Sequence, residues 1–147
     1  KTKRYYGVLE KQFKSYFVKA DKMEGVTGEN LLSLLERRLD NVVYRMGMAE
    51  SRTDARQLVL HGHFTLNGKK VTIPSIQIKV GDVITVKESS RSSEKIKGLI
   101  EGLDGRIFPK WLDVDKKNAQ AKVNALPKRE DIEFPFEEQL IVELYSK

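Results

Sequence analysis

Cysteine is absent from this 147-residue chain, and only two histidines, His61 and His63, are present. The absence of cysteine excludes disulfides, thiolate catalysis and the usual structural zinc sites. Two imidazoles are too few for a zinc site without help from carboxylates. No apolar run approaches the ~20 residues needed to span a bilayer, and the amino terminus has no apolar signal segment. We therefore expect a soluble intracellular protein with no metal, no cofactor and no membrane partner.

Acidic residues are outnumbered by basic ones. The chain holds 27 Lys and Arg against 21 Asp and Glu, which gives a formal net charge of +6 and a pI near 9.4. The excess is concentrated, because residues 1–22 contain seven basic and two acidic side chains and residues 37–91 contain ten and five. Residues 130–147 contain one and six. The two basic blocks predict a polyanionic partner, although charge alone leaves ordinary solvated faces as an alternative.

Apolar residues recur at helical spacing in four stretches of the chain. The predicted helices cover residues 13–20, 31–46, 51–61 and 96–103. Ser51 and Asp54 form a capping box at the start of the third helix. Gly47 and Gly62 are natural stops for the second and third helices, because glycine readily adopts the left-handed conformation that ends a helix.

The middle of the chain has the pattern of short strands. Asn67 and Gly68 predict a tight hairpin turn, because both central residues of such a turn need positive φ. The predicted strands cover residues 64–66, 71–73, 76–80 and 83–86. Residues 89–93 are predicted as a polar linker, residues 118–129 as an extended loop, and residues 140–145 as a strand or a packed tail. Together the pattern predicts an α+β fold.

Arginine is concentrated on two predicted helices and the hairpin that follows them. A guanidinium group suits phosphate because its fork matches two oxygens at once. Arg52 and Arg56 lie one turn apart at a helix start, where free backbone amides also favour an anion. We expect these residues to read RNA by shape and by phosphate contacts, with an ordinary basic surface as the alternative. This module set comprises Arg37, Arg38, Arg45, Arg52, Thr53, Arg56, Gln57, His61, Lys69 and Lys70.

Cations and aromatic residues alternate near the amino terminus. This amino-terminal set comprises Lys1, Lys3, Arg4, Tyr5, Tyr6, Lys11, Lys14 and Lys19. Such interleaving suits phosphate contact combined with stacking on bases or riboses. For Tyr5 and Tyr6, stacking and a place in the core are equal alternatives, whereas Phe13 and Phe17 fit the core. Arg91, in the polar linker, is a further candidate for RNA contact.

Other polar residues offer weaker signals. His61 and His63 would point to opposite faces of a strand, so a capping or RNA-facing role is favoured over a shared metal. Asp113 and Asp115 have no nucleophile, partner base or glycine-rich phosphate loop near them in the sequence. We therefore expect no enzymatic activity.

Several segments together resemble one protein family. The segments are residues 4–13, 27–32, 35–47, 55–59, 61–62, 111–115 and 140–147. They are similar to bacterial ribosomal protein four of the small subunit, and the resemblance extends over essentially the whole chain. It implies an S4-type RNA-binding module at residues 37–106, inserted into a mostly helical ribosomal-RNA-binding domain formed by residues 1–36 and 107–147. The module would place two helices on a short antiparallel sheet.

The resemblance also implies a function and partners. Members of the family bind the five-prime domain of small-subunit (16S) ribosomal RNA early and nucleate assembly of the subunit body. With ribosomal protein five they influence translational accuracy, and some repress translation of their own messenger RNA. Many carry a further amino-terminal extension, sometimes with metal-binding cysteines. Because the chain starts at Lys1 rather than Met, we expect such a segment to be missing, and its metal and messenger-channel roles are not carried over.

Three other functions are compatible with parts of the pattern. The first is a stand-alone module protein that acts on ribosomal subunits or transfer RNA, which would lack the matching flanks at residues 4–13 and 140–147. The second is a pseudouridine synthase with the same module, which needs a separate catalytic domain of ~100–200 residues. The third is a DNA-binding helix-turn-helix protein, which a comparison of duplex DNA with folded RNA would distinguish.

Overall fold

A computed structural model describes residues 6–132 and 138–145 of the chain. The chain divides into two compact units. The terminal unit comprises residues 1–37 and 127–147, and the inserted unit comprises residues 38–126. The helices are α1 (Glu10–Lys22), α2 (Thr27–Glu36), α3 (Leu39–Arg45), α4 (Arg52–Leu60), α5 (Glu94–Glu101) and α6 (Glu138–Tyr145). The strands are β1 (Phe64–Leu66), β2 (Lys69–Val71), β3 (Val83–Val86), β4 (Leu112–Asp115) and β5 (Gln120–Val123).

The terminal unit is helical. Helix α1 buries an apolar stripe at helical spacing, as predicted, and α2 buries four leucines against it. Tyr145 of α6 adds its ring, with centroids 5.6 Å from Phe13 and 5.4 Å from Phe17. Residues 140–145 belong to a helix whose last residue packs on α1, so the strand alternative is wrong and the packed-tail alternative agrees with the structure. A short apolar run cannot by itself distinguish these two structures.

Tyr6 lies in the core of the terminal unit. Its side chain is 1% exposed, and its hydroxyl donates a 2.6 Å hydrogen bond to Oε2 of Glu36, which is itself buried. The alternative in which Tyr6 stacks on RNA is therefore wrong, because a ring without exposed surface cannot meet a base. The aromatic ring supplies apolar area, and the buried carboxylate gives its hydroxyl a partner.

The long helix predicted from Leu31 to Met46 is two helices. Arg38 separates α2 from α3 with extended backbone (φ −67°, ψ 141°) and forms an isolated bridge with Gln77. The first amides of α3 are satisfied by carbonyls of the following segment: Leu39 N donates to Ile76 O at 2.9 Å, and Asp40 N donates to Pro74 O at 3.1 Å. The apolar pattern continues through the break because the two helices bury leucines in two different cores.

The sequence signals that predict the start and the end of α4 are confirmed. The amide of Asp54 donates to Ser51 Oγ at 3.0 Å, and the Asp54 carboxylate accepts from the Glu50 amide at 3.1 Å. The capping box therefore closes one residue earlier than its usual form, on Glu50 instead of Ser51. Gly62 ends the helix with φ 77°. Buried Ala55, Leu58 and Val59 form the inner face of the helix.

A five-stranded antiparallel sheet lies in the inserted unit, in the order β2-β1-β3-β5-β4. The hairpin turn is confirmed, with φ 52° at Asn67 and 85° at Gly68. Strand β2 begins directly after this turn, two residues earlier than predicted, so that Leu66 pairs with Lys69. Helix α5 is also confirmed, and the linker at 89–93 is largely a 3-10 turn, Glu88–Ser92.

Two predictions for the inserted unit are wrong. Residues 76–80 alternate in polarity but form only the bridge at Gln77, because the carbonyls of Pro74 and Ile76, just before it, accept from the first amides of α3. Residues 120–123 are not loop but β5, which pairs with β3 and β4. Consequently the inserted unit extends to Leu126, beyond the boundary after residue 106 that the resemblance implies. The α+β fold class is confirmed, with α3 and α4 adjoining the sheet through one shared core.

Candidate nucleic-acid interface

A buried carboxylate lies at the centre of the arginine cluster in the inserted unit. Asp40, on α3, is 1% exposed, and its Oδ1 accepts from the Asn41 amide at 2.7 Å. Arg38 binds the same carboxylate through both ends of its fork, with Nε 3.1 Å from Oδ1 and Nη2 3.0 Å from Oδ2. Arg56 of α4 approaches from the other helix, with Nε 3.5 Å from Oδ2.

Arg38 is consequently not a surface residue. It is 3% exposed and paired with Asp40, so its place in the predicted RNA-binding set is wrong. The reason is the break between α2 and α3, which turns this side chain inward instead of continuing the outer face of one long helix. A buried charge with a bidentate partner is tolerated, whereas an unpaired one is strongly disfavoured.

Arg52 is held by two residues of α3. Its Nε donates to Asn41 Oδ1 at 2.7 Å, and its guanidinium carbon lies 4.6 Å from the centroid of the Tyr44 ring. Asn41 is buried, so the accepting oxygen is fixed by the core. A guanidinium stacked on an aromatic face and anchored at Nε has few remaining orientations.

The outer face of α4 carries the exposed part of the predicted site. This α4 outer face is formed by Arg52, Thr53, Arg56, Gln57, Leu60 and His61. Thr53, Gln57 and His61 are exposed, and the Arg56 side chain is 35% exposed. At 100° per residue these positions share half of the helix circumference, opposite the buried residues. The face therefore presents two fixed cations, an imidazole and uncharged polar groups together.

The start of α4 is already occupied by a carboxylate. Asp54 accepts from the Glu50 amide and forms an ion pair with Lys95. Burial alone would raise the pKa of Asp54, but the hydrogen bonds from Lys95 and from the Glu50 amide lower it below its usual value. The protein therefore places a carboxylate of its own beside this helix start, and binding of an external anion by the first amides of α4 stays a prediction.

Positive charge also gathers at the carboxyl end of α4. A Cβ atom at Gly62 would lie 2.5 Å from Cε of Lys70, so the lysine packs directly against the glycine. The rings of His61 and His63 are 6.3 Å apart, and His63 Nδ1 lies 2.8 Å from Ser90 Oγ. Burial lowers the pKa of His63, and the charges of His61, Lys87 and Lys95 lower it further. The neighbourhood is thus electropositive.

The remaining predicted residues are distributed over both units. Arg45 is half-buried in the last turn of α3, and Lys69 is exposed on β2. Arg91 donates through Nη2 to the carbonyl of Asn118, so it closes the turn between β4 and β5. Arg37 ends α2 in the terminal unit, where burial lowers its pKa. It is not part of the same compact unit as the rest of the module set.

The amino-terminal set is only partly described. Lys11, Lys14 and Lys19 are exposed on α1. Lys1, Lys3, Arg4 and Tyr5 lie outside the described residues.

Sequence reasoning misses the residues that organise the arginines. In the sequence, Asp40, Asn41 and Tyr44 look like ordinary members of an apolar-patterned helix. One signal is present: Asp40 and Asn41 stand next to each other among the four arginines of positions 37–52. Over residues 6–132 and 138–145, no three His, Asp or Glu side chains gather as a metal site would require. Nor is any described helix long and apolar enough to cross a membrane.

Comparisons with known proteins identify two regions of the chain and a set of relatives that match it over its whole length. The profile of the S4 domain matches residues 37–84, and that of the ribosomal protein S4/S9 N-terminal domain matches residues 1–36. The chain is 63% identical over all its 147 residues to small ribosomal subunit protein uS4 of Geobacter metallireducens, covering 71% of that protein. It is likewise 63% identical to the uS4 protein of Clostridioides difficile, covering 70%, and 60% identical to that of Geotalea daltonii, covering 71%.

Proposed function

The chain belongs to the uS4 family of small ribosomal subunit proteins, and we propose that its α4 outer face binds small-subunit ribosomal RNA. Like its family, it is a structural constituent of the small subunit and not an enzyme. It binds ribosomal RNA as part of that subunit in the bacterial cytoplasm.

One observation carries the assignment of the RNA-binding surface. Arg52 and Arg56 are each anchored at Nε to a buried group of α3, Asn41 and Asp40 respectively. Two anchored guanidinium groups one helical turn apart form a fixed pair of positive charges. Fixed cations beside exposed Thr53 and Gln57 suit the phosphates and 2′-hydroxyls of folded RNA, which is read by shape more than by base sequence.

The inserted unit carries further cations outside this face. Lys69 and Lys70 of β2 and Arg45 of α3 belong to the same compact unit. We propose that they extend the phosphate contacts, and that exposed Lys11, Lys14 and Lys19 supply a second contact from the terminal unit. Binding should release counterions, so affinity should fall steeply as salt is raised.

We further propose a place for the protein within the subunit. As a primary binder of the five-prime domain, it would nucleate assembly of the subunit body where several RNA helices meet. It would influence translational accuracy together with ribosomal protein five, for which we propose the acidic residues 130–147 as a contact. A further role in repressing its own messenger RNA would use the same basic surface. The family membership supports these proposals.

A charge-matched pair of variants tests the surface. We expect Arg52→Ala combined with Arg56→Ala to weaken binding to a transcript of the five-prime domain of small-subunit ribosomal RNA without unfolding the protein. If each arginine neutralises one phosphate, the slope of log affinity against log salt should become shallower by about 1.4 to 1.8. Filter binding at several salt concentrations measures both quantities.

The control removes two charges elsewhere in the same unit. Lys116 and Lys117 are exposed in the turn between β4 and β5, and Lys116→Ala with Lys117→Ala should change affinity much less. An equal loss of RNA affinity in the two double variants would show that binding depends only on net charge. Unchanged affinity of the arginine pair would refute the assignment of the α4 outer face.

A further inference from the structure

Buried Asp40 connects the core of the inserted unit to an arginine of the α4 outer face. We propose that Asp40 is a positioning residue for RNA binding, whose carboxylate holds the Arg56 guanidinium in the orientation that meets phosphate. Arg38 in turn holds the carboxylate through both of its oxygens. This inference rests on the proposed RNA-binding function of the α4 outer face and assigns a role to a residue that cannot itself touch RNA.

The Asp40 carboxylate is held by three hydrogen bonds that do not involve Arg56. Oδ1 accepts from the Asn41 amide at 2.7 Å and from Arg38 Nε at 3.1 Å, while Oδ2 accepts from Arg38 Nη2 at 3.0 Å. These three bonds define the plane of the group, because both oxygens are engaged. Arg56 Nε, 3.5 Å from Oδ2, therefore meets an acceptor with one orientation.

Of the three linked side chains, only that of Arg56 is substantially exposed. The side chains are 1% exposed at Asp40, 4% at Arg38 and 35% at Arg56. The buried pair of Asp40 and Arg38 is neutral in sum, so the positive charge of Arg56 is not cancelled and lies where solvent and RNA can reach. A long side chain that is held in place beforehand loses less conformational entropy when its partner binds.

The direction in which Asp40→Asn changes the affinity for RNA distinguishes a positioning role from a simple effect of net charge. Asp40→Asn raises the net charge by one, so electrostatics alone predicts tighter binding to RNA. Positioning predicts the opposite, a weakening of about fivefold to tenfold, as expected when one contact loses its geometry. Asp113→Asn makes the same charge change at an exposed position of β4 and should bind as tightly as the native chain or slightly tighter.

A second variant covers the case in which Asp40→Asn fails to fold. Arg38→Met with Asp40→Asn removes the whole buried pair and leaves the net charge unchanged, a replacement that proteins often tolerate. It should fold and should weaken RNA binding as much as Asp40→Asn does. A double variant that cannot fold would overturn the inference, since the pair would then serve only the fold.

The Arg56→Ala background separates this inference from the proposed function. If Asp40 acts through Arg56, then Asp40→Asn should have no further effect on RNA affinity once Arg56 is alanine. The affinity for the five-prime-domain transcript is measured for four full-length chains: the native one, Asp40→Asn, Arg56→Ala and the combination of both substitutions. Native affinity of Arg56→Ala would refute the proposed interface itself. Weak binding by Arg56→Ala, with native binding by both Asp40 variants, would refute the positioning role alone.

Discussion

Gly47, which ends α3, should tolerate no side chain. Its φ is 87°, and a Cβ atom there would lie 2.7 Å from Cδ2 of Leu103, 3.0 Å from Cδ of Arg106 and 3.3 Å from Cε1 of Phe108. The left-handed backbone costs a non-glycine residue about 1–2 kcal/mol. Forcing a methyl group against fully buried Leu103 costs about 1–3 kcal/mol more. We therefore expect Gly47→Ala to lower the free energy of unfolding by about 2–5 kcal/mol.

The chain offers both a specific probe and a matched control for this substitution. Trp111, the single tryptophan, is buried in the inserted unit, so its fluorescence during urea unfolding reports on that unit. Gly98 lies inside α5, and a methyl group added to it would meet no atom within 4 Å. Gly98→Ala should therefore stabilise the unit by about 0.4–1 kcal/mol. A Gly47→Ala protein within about 0.5 kcal/mol of the native one would refute the reasoning, since that is the range of neutral surface changes.

Two further predictions concern a histidine and a tyrosine. Because the pKa of His63 is lowered in the folded state, the unfolded chain binds the proton more readily, and stability should fall as pH drops below about 6.5. His63→Gln should flatten this dependence between pH 7 and pH 5 in urea unfolding followed by Trp111, and an unaltered slope would contradict the assignment. Tyr6→Phe removes the donor to buried Glu36 and should destabilise the terminal unit by about 1–3 kcal/mol, seen as faster hydrogen exchange in α2, with RNA affinity unchanged. Native hydrogen exchange in α2 of the Tyr6→Phe protein would contradict this reasoning.

Features encoded in a few neighbouring residues could be predicted from sequence. The Asn67-Gly68 turn, the Ser51–Asp54 cap and the stop at Gly62 each depend on the conformational needs of one or two residues. Their physical causes act within a single turn of chain, so no knowledge of the rest of the fold was required.

Features that depend on distant partners could not be predicted in this way. Strand β5 exists because Gln120 pairs with Thr85, 35 residues earlier, and its own segment is too polar to suggest a strand. The break at Arg38 depends on carbonyls near Pro74 that satisfy the first amides of α3. An apolar repeat that continues from one core into another conceals such a break.

The same distinction between neighbouring and distant contacts applies to the candidate site. Residue type and spacing identified Arg52 and Arg56, which lie together on α4, because neighbours on a helix are set by its period. They did not reveal that Arg38 is buried against Asp40, because that depends on the break between α2 and α3. Nor did they reveal that Asp40 and Asn41 hold the two arginines of α4, because those contacts join separate helices. The RNA-facing role of the remaining residues of the predicted set stays a prediction.

Ultraviolet cross-linking of the chain to a five-prime-domain transcript, with the linked peptides identified by mass spectrometry, tests the central claim most directly. The account predicts that cross-links concentrate in residues 52–61, which form the α4 outer face with its anchored arginines. Cross-links confined to the turn between β4 and β5, with residues 52–61 unmodified, would contradict it.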